Sequence, residues 1–152
     1  MARQTNTVEV AILDLNRLLY AGSCLSVTAP AALGELCICP RHAPLLSRLQ
    51  TGEVRIRTED DRVAFYFVAG GFLEVSNNVV TILADHSLRS EEIDQQAALQ
   101  ARQQAEALLK TNPVFSERDS ALIARAEALI KLRILEHARH ASGLSVPNAS
   151  RF

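Results

Sequence analysis

Cys37, Cys39 and His42 fall within six positions of one another in GELCICPRHAPLL, a segment that also carries Pro40 and Pro44. Two thiols and an imidazole so close together could ligate a metal or supply a nucleophile with its base. A zinc site needs a fourth ligand, for which the remaining cysteine is Cys24, and Cys-x-Cys-x-x-His is not one of the usual structural spacings. No serine or cysteine near His42 stands in a recognisable nucleophile motif. The segment therefore reads as a stiff corner whose histidine holds a loop or touches a partner, with free cysteines packed as small hydrophobes. If the segment is a strand, alternation puts Glu35, Cys37 and Cys39 on one face and Leu36 and Ile38 on the other, and the latter face is the core side.

Other reactive-looking features are weaker. Gly70-Gly71 lacks the strand, glycine loop and Lys-Ser/Thr of a Walker phosphate cradle, and more simply marks a bulge or a close approach of another backbone. Arg118, Arg125, Lys131, Arg133 and Arg139 alternate with Glu127 and Glu136, the pattern of a solvated helix face with docking left open. No trio of acid, base and nucleophile emerges. A non-enzymatic interaction protein is the reading the residues favour, against a small enzyme using His42 and a cysteine as the second class.

The elements that would position these residues come in two kinds. Val8, Val10 and Ile12 alternate with Glu9 and Ala11, and period two recurs at Leu25/Val27, Leu36/Ile38, Val54/Ile56, Phe65/Phe67 and Val80/Ile82/Ala84. Turn signals separate these runs at Asn16, Ala29-Pro30, Thr51-Gly52, Asp60-Asp61 and Gly70-Gly71, and Asn77-Asn78 predicts a tight hairpin between LEVS and VVTILAD. About eight to ten short strands predict a two-layer sandwich or flattened barrel, antiparallel or mixed.

The period changes at about Ser90. SEEIDQQAALQARQQAEALLK predicts a helix with Ser90 as its cap, stopped by Thr111-Asn112-Pro113. Ser116 is expected to open a second helix running to about Ala141. The two form an αα-hairpin, with Ile93, Ala97, Ala101, Ala105 and Leu108 facing Leu122, Ala126, Leu129 and Arg133, and Ile123, Ile130 and Ile134 alongside. An alanine seam buries little area, so the hairpin is expected to be only marginally fixed in place. The expected plan is α+β: a sandwich over 1–88, a hairpin over 89–141 and a disordered tail over 142–152.

A chain of 152 residues can bury roughly two-thirds of its unfolded surface. The formal charge of −1 announces no nucleic-acid partner. Three cysteines make no disulfide framework and fit a reducing compartment. No segment approaches eighteen consecutive apolar residues, so any membrane association is expected through other proteins.

The order of features resembles a known family. GELCICPRHAPLL is similar to the Gly-Glu-x-Gly-Ile-x-Pro-x-His-Ala-Pro-Leu signature of the epsilon subunit of F-type ATP synthase, and FVAGGFLEV, VTILAD and ALIKLRILE follow in the family's order. The resemblance spans Val8 to about Ala141. It implies a non-catalytic rotor subunit of a proton-translocating enzyme, without a cofactor of its own and peripheral on the cytoplasmic side of a bacterial plasma membrane. The sandwich would bind the gamma subunit and the ring of c subunits, with Glu35, Arg41 and His42 toward that ring. The hairpin would either fold against the sandwich or extend into the catalytic hexamer of alpha and beta subunits and suppress ATP hydrolysis. Arg125, Lys131, Arg133, Glu136 and Arg139 would then be its contacts. Two departures stand out: Cys37 replaces a family glycine, and Arg41 stands where a small residue is commoner. Some members bind ATP through Ile/Leu-Asp-x-x-Arg-Ala; here the stretch is Ile93-Asp94-Gln95-Gln96-Ala97-Ala98, without the arginine, which predicts weak or no ATP binding. A free-standing adaptor on the same plan is the alternative.

Overall fold

The computed structural model describes residues 6–142; the expected tail from 143 onward lies outside the described residues. Ten strands run in chain order: β1 (Val8–Leu13), β2 (Leu18–Cys24), β3 (Ser26–Ala31), β4 (Gly34–Ile38), β5 (Leu45–Arg48), β6 (Gly52–Arg57), β7 (Val63–Ala69), β8 (Phe72–Ser76), β9 (Val79–Leu83) and β10 (His86–Arg89). They form two five-stranded sheets, β2-β1-β9-β8-β5 and β10-β7-β6-β3-β4. All pairings are antiparallel except β1 with β9, which makes the first sheet mixed. Two helices follow, α1 (Gln95–Leu109) and α2 (Phe115–Ala141). The α+β plan of sandwich and hairpin is the one the sequence predicts.

The sandwich core is the set of alternating residues that period two picks out. Val8, Val10, Ile12, Val80 and Ile82 from the first sheet meet Val27, Ile38, Val54 and Ile56 from the second, all buried. Strand β7 departs from simple alternation because it is covered on both sides. Tyr66 and Val68 point into the sandwich. Phe65 and Phe67 point outward into a second cluster with Ile93 and Ile134. The hairpin is seated there, on the outer face of the second sheet.

Several local expectations are corrected. Strands β2, β5 and β10 were not marked by alternation, and each is an edge strand, where one side of the ladder is open and fewer side chains are buried. Ala29-Pro30 is not a turn but the interior of β3. Pro30 is tolerated there because β6 pairs only with Ser26–Thr28, so its missing N–H faces no second strand. Ser90 does not cap a helix; it opens a 3-10 turn (Ser90–Glu92), and Asp94 caps α1 by accepting from the Ala97 N–H at 3.1 Å. The second helix begins at Phe115 rather than at a Ser116 cap. The seam is rotated from the expected one: Ala98 and Ala105 face Ala121 and Ala128, whereas Ala97, Leu108, Leu122 and Ala126 are exposed. Register between two helices depends on how α2 is held by β7, a constraint that helical periodicity alone does not contain.

The expected close approach at Gly70-Gly71 is present. Gly71 has φ +106°, and a Cβ there would stand 2.0 Å from the Leu83 carbonyl oxygen. Only glycine lets the chain leave β7 and enter β8 against the backbone of β9. Asn77 and Asn78, at φ 50° and 62°, make the expected tight turn.

Candidate functional site

The corner after β4 is built by backbone geometry. The His42 N–H donates to the Cys39 carbonyl at 3.1 Å, closing a turn, and Arg41 within it takes φ 64°. Such a conformation is costly for a residue with a Cβ and needs support from outside the turn. Asn78 gives that support. Its Oδ1 accepts from the Arg41 N–H at 2.8 Å while its Nδ2 donates to the Thr7 carbonyl at 2.8 Å. The corner is thereby pinned to the β8–β9 turn and to the start of β1. His42 Nδ1 lies 2.7 Å from the Ala43 carbonyl, which fixes the ring locally and leaves Nε2 outward.

Glu35 is not part of that corner. It sits near the start of β4, and the strand between it and Cys39 spans about 13 Å at the usual rise per residue. Its carboxylate is tied to Arg55 at 2.6 Å, and Arg55 also meets Glu53 at 3.1 Å. The structure thus brings Arg41 and His42 together and places Glu35 at the far end of the same edge strand. Cys37, a departure from the resembled signature, pairs regularly with Thr28 and directs its side chain to solvent, so the strand needs no adjustment. Cys37 and Cys39 are exposed rather than packed, on the face opposite Ile38; Cys24 is the one in the core, where burial pushes its thiol up to about 11.

The five residues expected to contact a partner from the hairpin divide into two groups. Arg125 bonds Glu106 across the helices at 3.3 Å, sharing that carboxylate with Arg102 at 3.0 Å. Lys131 places Nζ 4.7 Å from the centre of the Phe67 ring, and Arg139 donates to Gln95. Lys131 therefore holds the hairpin to the sandwich, whereas Arg125 and Arg139 hold its two helices together. Arg133 and Glu136 are exposed, the latter only loosely near His140 at 4.0 Å.

Two features were missed by sequence reasoning. The first is a latch between hairpin and sandwich, His137 Nδ1 to Glu53 Oε2 at 2.8 Å, beside the buried Ile134. Residues 84 positions apart give no signal of such pairing in a single sequence. The second is an apolar row across the outer face of the first sheet. Leu18 pairs with Leu13, Leu13 with Leu83, Leu83 with Phe72 and Phe72 with Arg48, so one register line crosses all five strands. Leu18, Leu83 and Phe72 are each about half exposed. The signal was available: VVTIL is apolar at nearly every position, and a strand facing solvent on one side should alternate.

A cleft of ≈ 370 Å³ opens between α1, α2 and the end of the sandwich. Among the described residues its walls carry alanines from both helices, the carboxylates of Glu92, Asp94 and Glu127, and a single cation, Lys131. That charge balance opposes a polyphosphate, and no guanidinium among the described residues lines the walls. Among the described residues no group of three His, Cys, Asp or Glu could hold a metal ion, and no helix is long and apolar enough to cross a membrane.

Comparison with known proteins agrees with this architecture. Residues 7–90 match the family model described as ATP synthase, Delta/Epsilon chain, beta-sandwich domain. The ATP synthase epsilon chain of Halorhodospira halophila is 45% identical over 135 residues, 88% of this chain and 96% of that one. That of Nitrosococcus oceani is 39% identical over 137 residues, 90% and 98% of the two chains. Among solved structures, a chain of the Euglena gracilis mitochondrial ATP synthase (OSCP, F1 and c-ring) superposes with TM-score 0.66 at 20% identity, covering 92% of this chain and 84% of its own. At that identity the likeness speaks for the fold alone. By the family model and by relatives matched over nearly their whole length, the chain belongs to the ATP synthase epsilon chain family.

Proposed function

We propose that the chain is a non-catalytic subunit of the central stalk in a proton-translocating F-type ATP synthase. In this reading the sandwich over 1–88 is fastened to the gamma subunit, and the hairpin over 89–141 is a mobile inhibitor of ATP hydrolysis. The observation that carries it is the small seat of the hairpin on the second sheet, the cluster of Phe65, Phe67, Ile93 and Ile134 with Lys131 over the Phe67 ring and His137 against Glu53. Lifting the hairpin from the sandwich would free Lys131, and parting its two helices would free Arg125 and Arg139, for alpha and beta subunits, together with Arg133 and Glu136. A segment held by so few contacts can exchange them for others at small cost in free energy, as switching requires.

The apolar row Leu18, Leu13, Leu83 and Phe72 supplies a surface suited to gamma, since a contiguous exposed apolar strip is where a soluble domain meets a permanent partner. The pinned corner with Arg41 and His42, and Glu35 on the same edge strand, would meet the c ring. Rigidity there reduces the ordering cost of docking. Association with the cytoplasmic side of a bacterial plasma membrane would follow through these partners.

The test is a complex assembled with the chain ended after Glu92, which keeps β10 and its anchoring bonds. Hydrolysis should rise while assembly and proton coupling persist. Unchanged hydrolysis overturns the inhibitory role; failure of alpha, beta, gamma and c subunits to co-purify with the full chain from detergent-solubilised membranes overturns the placement.

A further inference from the structure

Cys37 and Cys39 remain unexplained by that role. They flank Ile38, whose side chain is fully buried, so both sulfurs emerge on the outer face of the second sheet. Strand β4 is the edge of that sheet, and no neighbouring strand covers the thiols from the open side. Alternation along the strand sets the two exposed side chains two residues apart on the same face, next to one another. Their backbone is held on both sides, by pairing of Cys37 with Thr28 and by the His42 N–H on the Cys39 carbonyl.

We propose that Cys37 and Cys39 form a two-coordinate thiolate site for a soft monovalent cation, copper(I). Softness matters because thiolates select such ions, and low coordination number matters because no third ligand is at hand among the described residues. The same shortage argues against zinc, which takes four ligands in a structural site. A disulfide is the less suitable use of the pair. Residues two apart on an extended strand have Cα atoms about 6.7 Å apart, at the far end of the range a disulfide tolerates, so closing one would kink the edge strand. An interposed ion with metal–sulfur bonds of roughly 2.3 Å instead bridges sulfurs some 4–5 Å apart without moving the backbone.

The binding step involves no change of oxidation state. Both thiols lose their protons, two sulfur–copper bonds form, and the site gains one negative charge overall. Two thiols that become two thiolates release two protons per ion taken up. Cys24 takes no part, being enclosed in the sandwich core.

Anaerobic titration of the full chain with copper(I), against a chromophoric copper(I) chelator, tests the proposal. One ion per monomer is expected by native mass spectrometry, with loss of binding in both Cys37→Ser and Cys39→Ser. Iodoacetamide should label Cys37 and Cys39 in the free chain and neither in the loaded chain, with Cys24 unlabelled in both. Binding retained in the serine variants, one ion shared between two chains, or thiols still open to alkylation after loading would each overturn it. Both positions are exposed, so the serine variants should fold, and unchanged circular dichroism checks this.

Discussion

Arg17 and Glu92, 75 residues apart, meet in a two-pronged ion pair: Nη1 to Oε1 at 2.5 Å and Nη2 to Oε2 at 2.8 Å. The pair joins the β1–β2 loop to the 3-10 turn just before α1. Around it, Glu92 accepts from the Arg89 N–H at 2.8 Å, the Arg89 guanidinium donates to the Leu19 carbonyl at 2.6 Å, and Ser87 donates to Asp14 at 2.9 Å. The chain is thus anchored to the sandwich through Glu92, which puts the pivot of any hairpin movement at Ile93–Asp94, where both residues are extended.

This clamp should be visible in the pH dependence of stability. The hydrogen bonds from Arg17 and from the Arg89 backbone hold Glu92 at about 2, against an ordinary value of 4.5. A carboxylate whose folded value is depressed contributes stability that is complete above its unfolded value and lost as pH falls through the folded one. Urea midpoints should therefore decline from about pH 4.5 toward pH 2, and Arg17→Met should decline less steeply over that window. Parallel curves for the two proteins would refute the clamp.

Ile134 is the side chain of α2 most deeply set against β7, with no exposed surface. Truncation to alanine should weaken hairpin seating by about 2–4 kcal/mol, the usual cost of a buried isoleucine. Hydrogen exchange in α2 should accelerate while the sandwich strands stay protected. Equal acceleration in both would mean that the hairpin and sandwich open as one unit.

Replacing Gly71 with alanine combines a disallowed backbone conformation with a clash at Leu83, so a loss of at least about 2 kcal/mol is expected in denaturant unfolding. Gly34, at φ +129° but in open space, should cost less when substituted. Similar losses at both positions would show that backbone conformation, and not close approach, sets the requirement.

The cleft beside α1 should not take ATP. Three carboxylates face one ammonium, and Glu92 and Asp94 are already engaged, by Arg17 and by the helix cap. Calorimetry should show no saturable heat with ATP. Saturation at micromolar nucleotide would mean that cations outside the cleft reach the phosphates.

The sequence by itself determined the sandwich's inner strands, its tight turns and the existence of two helices. Each follows from short-range physics: Val8, Val10 and Ile12 alternate because one strand face is buried, and Pro113 stops a helix wherever it stands. The glycine requirement at Gly71 was legible for the same reason, although its partner Leu83 was not. Only the tertiary structure decided the edge strands β2, β5 and β10, the seam of the hairpin and its seat on β7. Edge strands are held by one neighbour and need little hydrophobic patterning, and a helix seam shifts by a residue according to what lies behind it. Likewise the Glu53–His137 latch, the Arg17–Glu92 clamp and the line from Leu18 to Phe72 join residues distant in the chain, and their proximity is a product of strand register and helix docking that local composition does not encode.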